Sequence, residues 1–141
     1  MFKNMKASNK ALPQVTENIT RWHYDRNLIN GTDHATQVVK LLEEYTEVYA
    51  AIHAGIEPDD LTEMMIAHLR KLNATGRIKK VEPENAHHAL VDGLGDMYVV
   101  QVNHAEREHA TLAECAHQAY SEIRDRKGKM VNGTFVKEED L

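Results

Sequence analysis

Residues 40–52, "KLLEEYTEVYAAI", place apolar side chains at helical rather than alternating spacing and interrupt them with three glutamates, Glu43, Glu44 and Glu47. At about 100° per residue, Val38, Leu41, Leu42, Tyr45, Val48, Tyr49 and Ile52 gather on one broad face, the pattern of an amphipathic helix laid on a core. Glu44 and Glu47, an i,i+3 pair, are expected together beside the edge of that face, Glu44 next to Val48, with Glu43 directed away from both. Like charges at this spacing weaken an isolated helix by about 0.2–0.5 kcal/mol. A divalent cation held between them would reverse that penalty. The alternative is a solvated face on which Lys40, four residues before Glu44, offsets part of the charge.

The helical period recurs along most of the chain, and alternating β-branched runs do not extend beyond a few positions, so the expected class is all-α. A first helix is predicted over about Leu12 to Leu28. The turn "NGTDH" then breaks it, and its Thr-Asp element caps a second helix, His34 to Ala54, which stops at Gly55. Pro58 suits the first position of a third helix, and Asp59 and Asp60 sit where the dipole favours negative charge. That helix should end near Gly76. After the polar connection "RIKKVEPEN", a fourth helix is predicted from Glu84 to His109 and a fifth from Thr111 to near Gly128. The final residues, 129–141, are too polar and too interrupted by glycine for a helix and read as an extension over the domain or over a partner subunit. Short loops make an antiparallel bundle of four to five helices the expected architecture, as one domain over 1–141 with its core within 12–128.

Length and composition agree with a folded domain: 141 residues, 42% hydrophobic and 28% charged. A net charge of −5 argues against a broad basic surface for a nucleic-acid polymer, although a free nucleotide bound through metal ions is compatible with it. One cysteine, Cys115, gives no internal disulfide, and "MFKNMKASNK" has no apolar signal region, so a reducing cytoplasm is expected. No run approaches the roughly 20 apolar residues of a membrane span. The sequons "NIT", "NAT" and "NGT" are read as coincidental.

A second acidic element lies in residues 87–108, "HHALVDGLGDMYVVQVNHAERE". Asp92 and Asp96 share an i,i+4 stripe continued by Val99 and Asn103. Aspartate is a poor helix former, and each glycine costs roughly 0.8–1 kcal/mol relative to alanine inside a helix, so "DGLGD" is a costly sequence for a helix. Gly93 and Gly95 would admit a close neighbour, and aspartates facing it suit a hard cation such as Mg²⁺. The competing reading is a turn at Gly93–Gly95 between two shorter helices. The nine histidines form no zinc motif: His87 and His88 are adjacent and cannot share a face, and there is no HExxH. Cys115, within "LAECAHQA", reads as an inert small hydrophobe.

Taken together, "EEYTE" (43–47) and "DGLGD" (92–96) resemble the paired motifs of the MazG-like, all-α nucleoside triphosphate pyrophosphohydrolases, whose EExxE helix and later ExxD helix bind Mg²⁺. Residues 22–34, "WHYDRNLINGTDH", are similar to the segment preceding the first motif in the deoxynucleotide-hydrolysing branch. Residues 121–133, "SEIRDRKGKMVNG", are similar to the closing basic segment of small, often phage-encoded members. The resemblance covers roughly residues 19–133. One departure stands out: the family's second motif has a glutamate where this chain has Gly93, leaving Asp92 as the acidic partner of Asp96.

The resemblance implies hydrolysis of a ribo- or deoxynucleoside triphosphate to monophosphate and pyrophosphate, in the cytoplasm of the producing cell or of a phage's host. Glu44, Glu47, Asp92 and Asp96, with Glu43 as a further motif member, would hold Mg²⁺, with Mn²⁺ as a substitute. Either Glu44 or Glu47 would take the proton of the attacking water. Within "RDRKGK", Arg126 and Lys127 are the first choices to meet the outer phosphates; the same cluster also suits a helix C-terminus complementing the dipole. Trp22, His34, Tyr98 and Asn103 are candidates to contact the base, with core or capping roles as the alternatives. Assembly as a homodimer or homotetramer is expected. The rival readings are a phosphoribosyl-ATP pyrophosphohydrolase and a non-catalytic helical module that binds metal or a basic partner.

Overall fold

The computed structural model describes the backbone of residues 2–132 and 134–141 and the side chains from residue 12 onward, with residue 133 excepted. The chain is mostly helical: α1 (Phe2–Asp25), α2 (His34–Ile52), α3 (Pro58–Ala74), α4 (Ala86–Arg107) and α5 (Leu112–Ile123). Two short strands, β1 (Gly128–Val131) and β2 (Thr134–Lys137), follow, and 3-10 turns occupy Pro83–Asn85 and Glu138–Asp140. Among the described residues, no helix is long and apolar enough to cross a membrane.

One stop signal ends three of the helices. At the end of α1, Asn27 takes φ 56°, its N–H donates to the Tyr24 carbonyl (3.1 Å), and Leu28 N–H donates to that of His23 (2.8 Å). This is a Schellman motif, in which a left-handed residue turns the chain so that the last carbonyls find donors. Leu28 is buried as its apolar closing residue. Gly76, at φ 73°, does the same for α3, with Gly76 N–H on Asn73 and Arg77 N–H on Leu72. His109, at φ 56°, ends α4 in the same way. The N-termini carry the expected caps. Asp33 Oδ1 accepts from Thr36 N–H at 2.8 Å, Pro58 opens α3, and the Thr111 side chain accepts from Glu114 N–H at 3.1 Å.

The boundaries shift at both ends of the chain. Helix α1 begins at Phe2, not Leu12, and continues through Pro13. Helix α5 stops at Ile123, not near Gly128, so the basic cluster lies beyond it. Residues 129–141, expected not to be helical, contain most of a strand pair: β1 and β2 run antiparallel, with Met130 opposite Phe135 and Val131 opposite Thr134. Gly128 is required there because a Cβ would collide with the Val136 carbonyl and the Phe135 ring.

The chain divides into two compact units, residues 1–36 with 91–141, and residues 37–90. In the first, α1 packs along α5. Val15, Leu28, Ala105 and Ala113 are buried. Trp22 ties the hairpin to this pair: its indole N–H donates to the Ile123 carbonyl at 3.0 Å, and its ring meets Phe135 edge-on at 6.0 Å. In the second unit Tyr49 and Leu61 are buried, and the Tyr49 ring meets His68 of α3.

The expected core face of α2 is a correction. Only Tyr49 of its seven apolar residues is buried; Val38, Leu42, Tyr45, Val48 and Ile52 remain 50–59% exposed. Helix α4 is also uncovered: Val91, Leu94, Tyr98, Val99, Val100 and Val102 are all exposed, Val99 at 67%.

Candidate functional site

Helix α2 is continuous through the acidic motif, and its geometry changes the relation among the three glutamates. Along a regular helix Glu47 falls between the other two, about 40° from Glu43 and about 60° from Glu44. Glu43 therefore does not point away from the pair. Glu47 lies on the side opposite the apolar face, and only Glu44 borders that face, about 40° from Val48. Lys40 engages both adjacent carboxylates, with Nζ 3.1 Å from Glu43 Oε2 and 3.3 Å from Glu44 Oε1. Partial desolvation acts against the Lys40 charge, but the hydrogen bonds to Glu43 and Glu44 outweigh it and raise the ammonium above its ordinary value. All three side chains stay more than half exposed, so each pair contributes only a few tenths of a kcal/mol, about 0.3–0.5. The solvated reading thus describes Glu43 and Glu44 as they stand in a single chain.

Helix α4 runs unbroken through "DGLGD", which removes the turn reading for Gly93–Gly95. Asp92 and Asp96 are exposed on one stripe with Val99. A Cβ added at Gly93 or Gly95 would meet nothing within 4 Å, so the close neighbour these glycines suit is not supplied by the described part of this chain. The acidic pairs fall in different units, Glu44 and Glu47 in one and Asp92 and Asp96 in the other. Among the described residues no three histidine, cysteine or carboxylate side chains are grouped to hold a metal ion. The donor set is all oxygen, which fits Mg²⁺ in kind. Each unit carries two of the four carboxylates.

The remaining candidates have distinct surroundings. Arg126 and Lys127 line an open depression of about 630 Å³ with Lys137, but four carboxylates, among them Glu122 and Asp125, line it as well. Asn103 Oδ1 accepts from Arg107 Nε at 2.8 Å, which leaves its amide hydrogens able to donate. His34, at the start of α2, and Tyr98, 44% accessible, are exposed. Trp22 is the exception: its N–H is spent on Ile123 and the Arg26 guanidinium stacks on its ring at 4.5 Å, so its core role accounts for it.

Two features escaped the sequence reading. Arg26 donates to the carbonyls of Arg124 (2.9 Å) and Arg126 (3.2 Å), so it positions the basic segment through its backbone. The "DR" of residues 25–26 gives a signal, but not the partner. Tyr49, expected as plain core, buries a hydroxyl that has no hydrogen-bond partner. Tyr49 also lines a depression between α2 and α3 that has no motif carboxylate in its lining. The chain matches no family model, no curated protein and no solved structure.

Proposed function

We propose that this chain is a Mg²⁺-dependent nucleoside triphosphate pyrophosphohydrolase whose site is completed when copies assemble into a helical bundle. One observation carries the reading: both acidic motifs sit on regular helices whose adjoining apolar surface the described residues leave exposed. Val99 shares the aspartate stripe and is 67% exposed; Val48, beside Glu44, is 50% exposed. A helix apolar on nearly all sides, as α4 is, suits burial by neighbours, and uncovered patches of this kind mark association surfaces. Covering Val99 and Val48 brings Asp92, Asp96 and Glu44 under a neighbour, which accounts for the open space above Gly93 and Gly95.

In this reading Glu44, Glu47, Asp92 and Asp96, joined by Glu43, hold the cation. When bound, it supplies neutralisation of the triphosphate charge and polarisation of the anhydride. The chain's own groups do the rest. A glutamate free of metal accepts the proton of the attacking water, Arg126 and Lys127 meet the outer phosphates, and Asn103, Tyr98 and His34 contact the base or sugar. The Lys40 ion pairs must loosen for Glu43 and Glu44 to serve, a small cost for exposed pairs.

The test incubates the full chain with ribo- and deoxynucleoside triphosphates and Mg²⁺ and separates the products. Monophosphate with pyrophosphate is expected; diphosphate with orthophosphate would rule the reaction out. Activity on phosphoribosyl-ATP but not on free triphosphates would favour the rival enzyme. The pairing of Glu43 and Glu44 with Lys40 favours a second reading, a non-catalytic helical module, which no product release at all would support.

A further inference from the structure

Between α2 and α3, within the unit 37–90, lies an open depression of about 710 Å³ that none of the motif carboxylates lines. Its lining inverts the charge of the chain. Against an overall −5, it presents His68, Lys71 and Arg77 and no carboxylate. Tyr45 and Tyr49, ring centroids 6.0 Å apart, form its aromatic side. Among the described residues neither Lys71 nor Arg77 has an ion-pair partner.

The ordinary role for cations at this place is to satisfy the carbonyl end of α3, but the backbone already does so. The Lys71 carbonyl accepts from Thr75 N–H (3.0 Å) and Thr75 Oγ1 (2.8 Å), that of Leu72 from Arg77 N–H (2.8 Å), and that of Asn73 from Gly76 N–H (3.0 Å). The side chains of Lys71 and Arg77 are left over. A second, independent feature is aromatic. The Tyr45 ring is 52% exposed and lines the same depression, so a planar group can lie against it.

We infer that this depression binds a phosphate group without a metal ion, with Lys71 and Arg77 as charged donors and the Tyr45 ring available to a base. The source is either an inorganic phosphate or pyrophosphate, or a nucleoside monophosphate. Charge-assisted bonds from guanidinium and ammonium suit a phosphate's several acceptor oxygens. The inference is independent of the pyrophosphohydrolase reading, because carboxylates without metal repel the same ligand.

Calorimetric titration of the full chain in EDTA at low salt, with pyrophosphate and separately with adenosine monophosphate, tests it. Saturable binding is expected, weakened at least about tenfold by Lys71→Gln with Arg77→Gln. Circular dichroism should match the parent in each case. Glu47→Gln with Asp96→Asn should bind as the parent does, which separates this site from the acidic one. Tighter binding of the monophosphate than of pyrophosphate would assign the Tyr45 ring to a base, and the reverse would assign the site to the inorganic ion. No binding of either probe at millimolar concentration, or binding unchanged in the Lys71, Arg77 variant, would overturn the inference.

Discussion

Replacing Leu42 by aspartate tests whether the uncovered face of α2 is an assembly surface. Val38, Leu42, Tyr45, Val48 and Ile52 keep 50–59% of their surface exposed in the single chain. Full burial of such a side chain is worth about 1.5–3 kcal/mol, so covering the remaining half yields about 1 kcal/mol each. Over five residues that is about 5 kcal/mol per copy and about 10 kcal/mol across a two-fold contact. The gain is of the same size as the 4–15 kcal/mol that association costs, by order-of-magnitude estimates. The face can therefore hold a dimer only if nearly all of it is used. Leu42→Asp removes about 1 kcal/mol of burial per copy and adds an unpaired carboxylate to each half of the contact, so dissociation should rise by at least about a hundredfold. Sedimentation velocity between micromolar and hundred-micromolar protein reads this directly, with helicity as the control for folding. Lys79→Glu, on the exposed connection after α3, should change nothing. A parent chain that stays monomeric throughout, or a Leu42→Asp chain that sediments like the parent, would refute the reasoning.

Glu47→Gln and Asp96→Asn are each expected to abolish pyrophosphate release while leaving helicity unchanged, since both side chains are exposed in the chain; turnover in both variants would remove the proposed cage. Trp22→Phe loses the bond to the Ile123 carbonyl and should cost about 1–2 kcal/mol in urea unfolding, whereas an unchanged midpoint would show that the hairpin is held without it. Burial holds His23 below its ordinary value of 6.5, so the unfolded chain binds the proton more readily. Stability from this group is then complete above 6.5 and is lost as the pH falls through the depressed folded value. The melting temperature should rise from about pH 5 to about pH 7, and His23→Gln should flatten that slope.

Local signals carried the helices because caps and stops act over a few residues. Asp33 before α2, Pro58 at the head of α3, Thr111 before α5, and Gly76 beyond α3 all act where their chemistry predicts. The dipeptide Asn132–Gly133 is a turn signal in the sequence, and Asn132 takes φ 52°. Polar composition argues against a helix there but does not distinguish a loop from a strand pair. The relation of Glu43 to Glu47 needs no tertiary information either, since at about 100° per residue a regular helix sets Glu43 closer in angle to Glu47 than Glu44 is.

The sequence by itself determined the mostly helical class, the order of its five helices and the placing of acidic pairs on α2 and α4, since each depends on neighbours within a turn or two. Tertiary structure alone decided that Trp22 and Arg26 brace the 123–126 segment about a hundred residues away, that Tyr45, Lys71 and Arg77 line one depression, and that the described residues leave the apolar faces of α2 and α4 exposed. Periodicity identifies an apolar face but not what covers it, because burial depends on the meeting of segments far apart in the chain or on different copies of it.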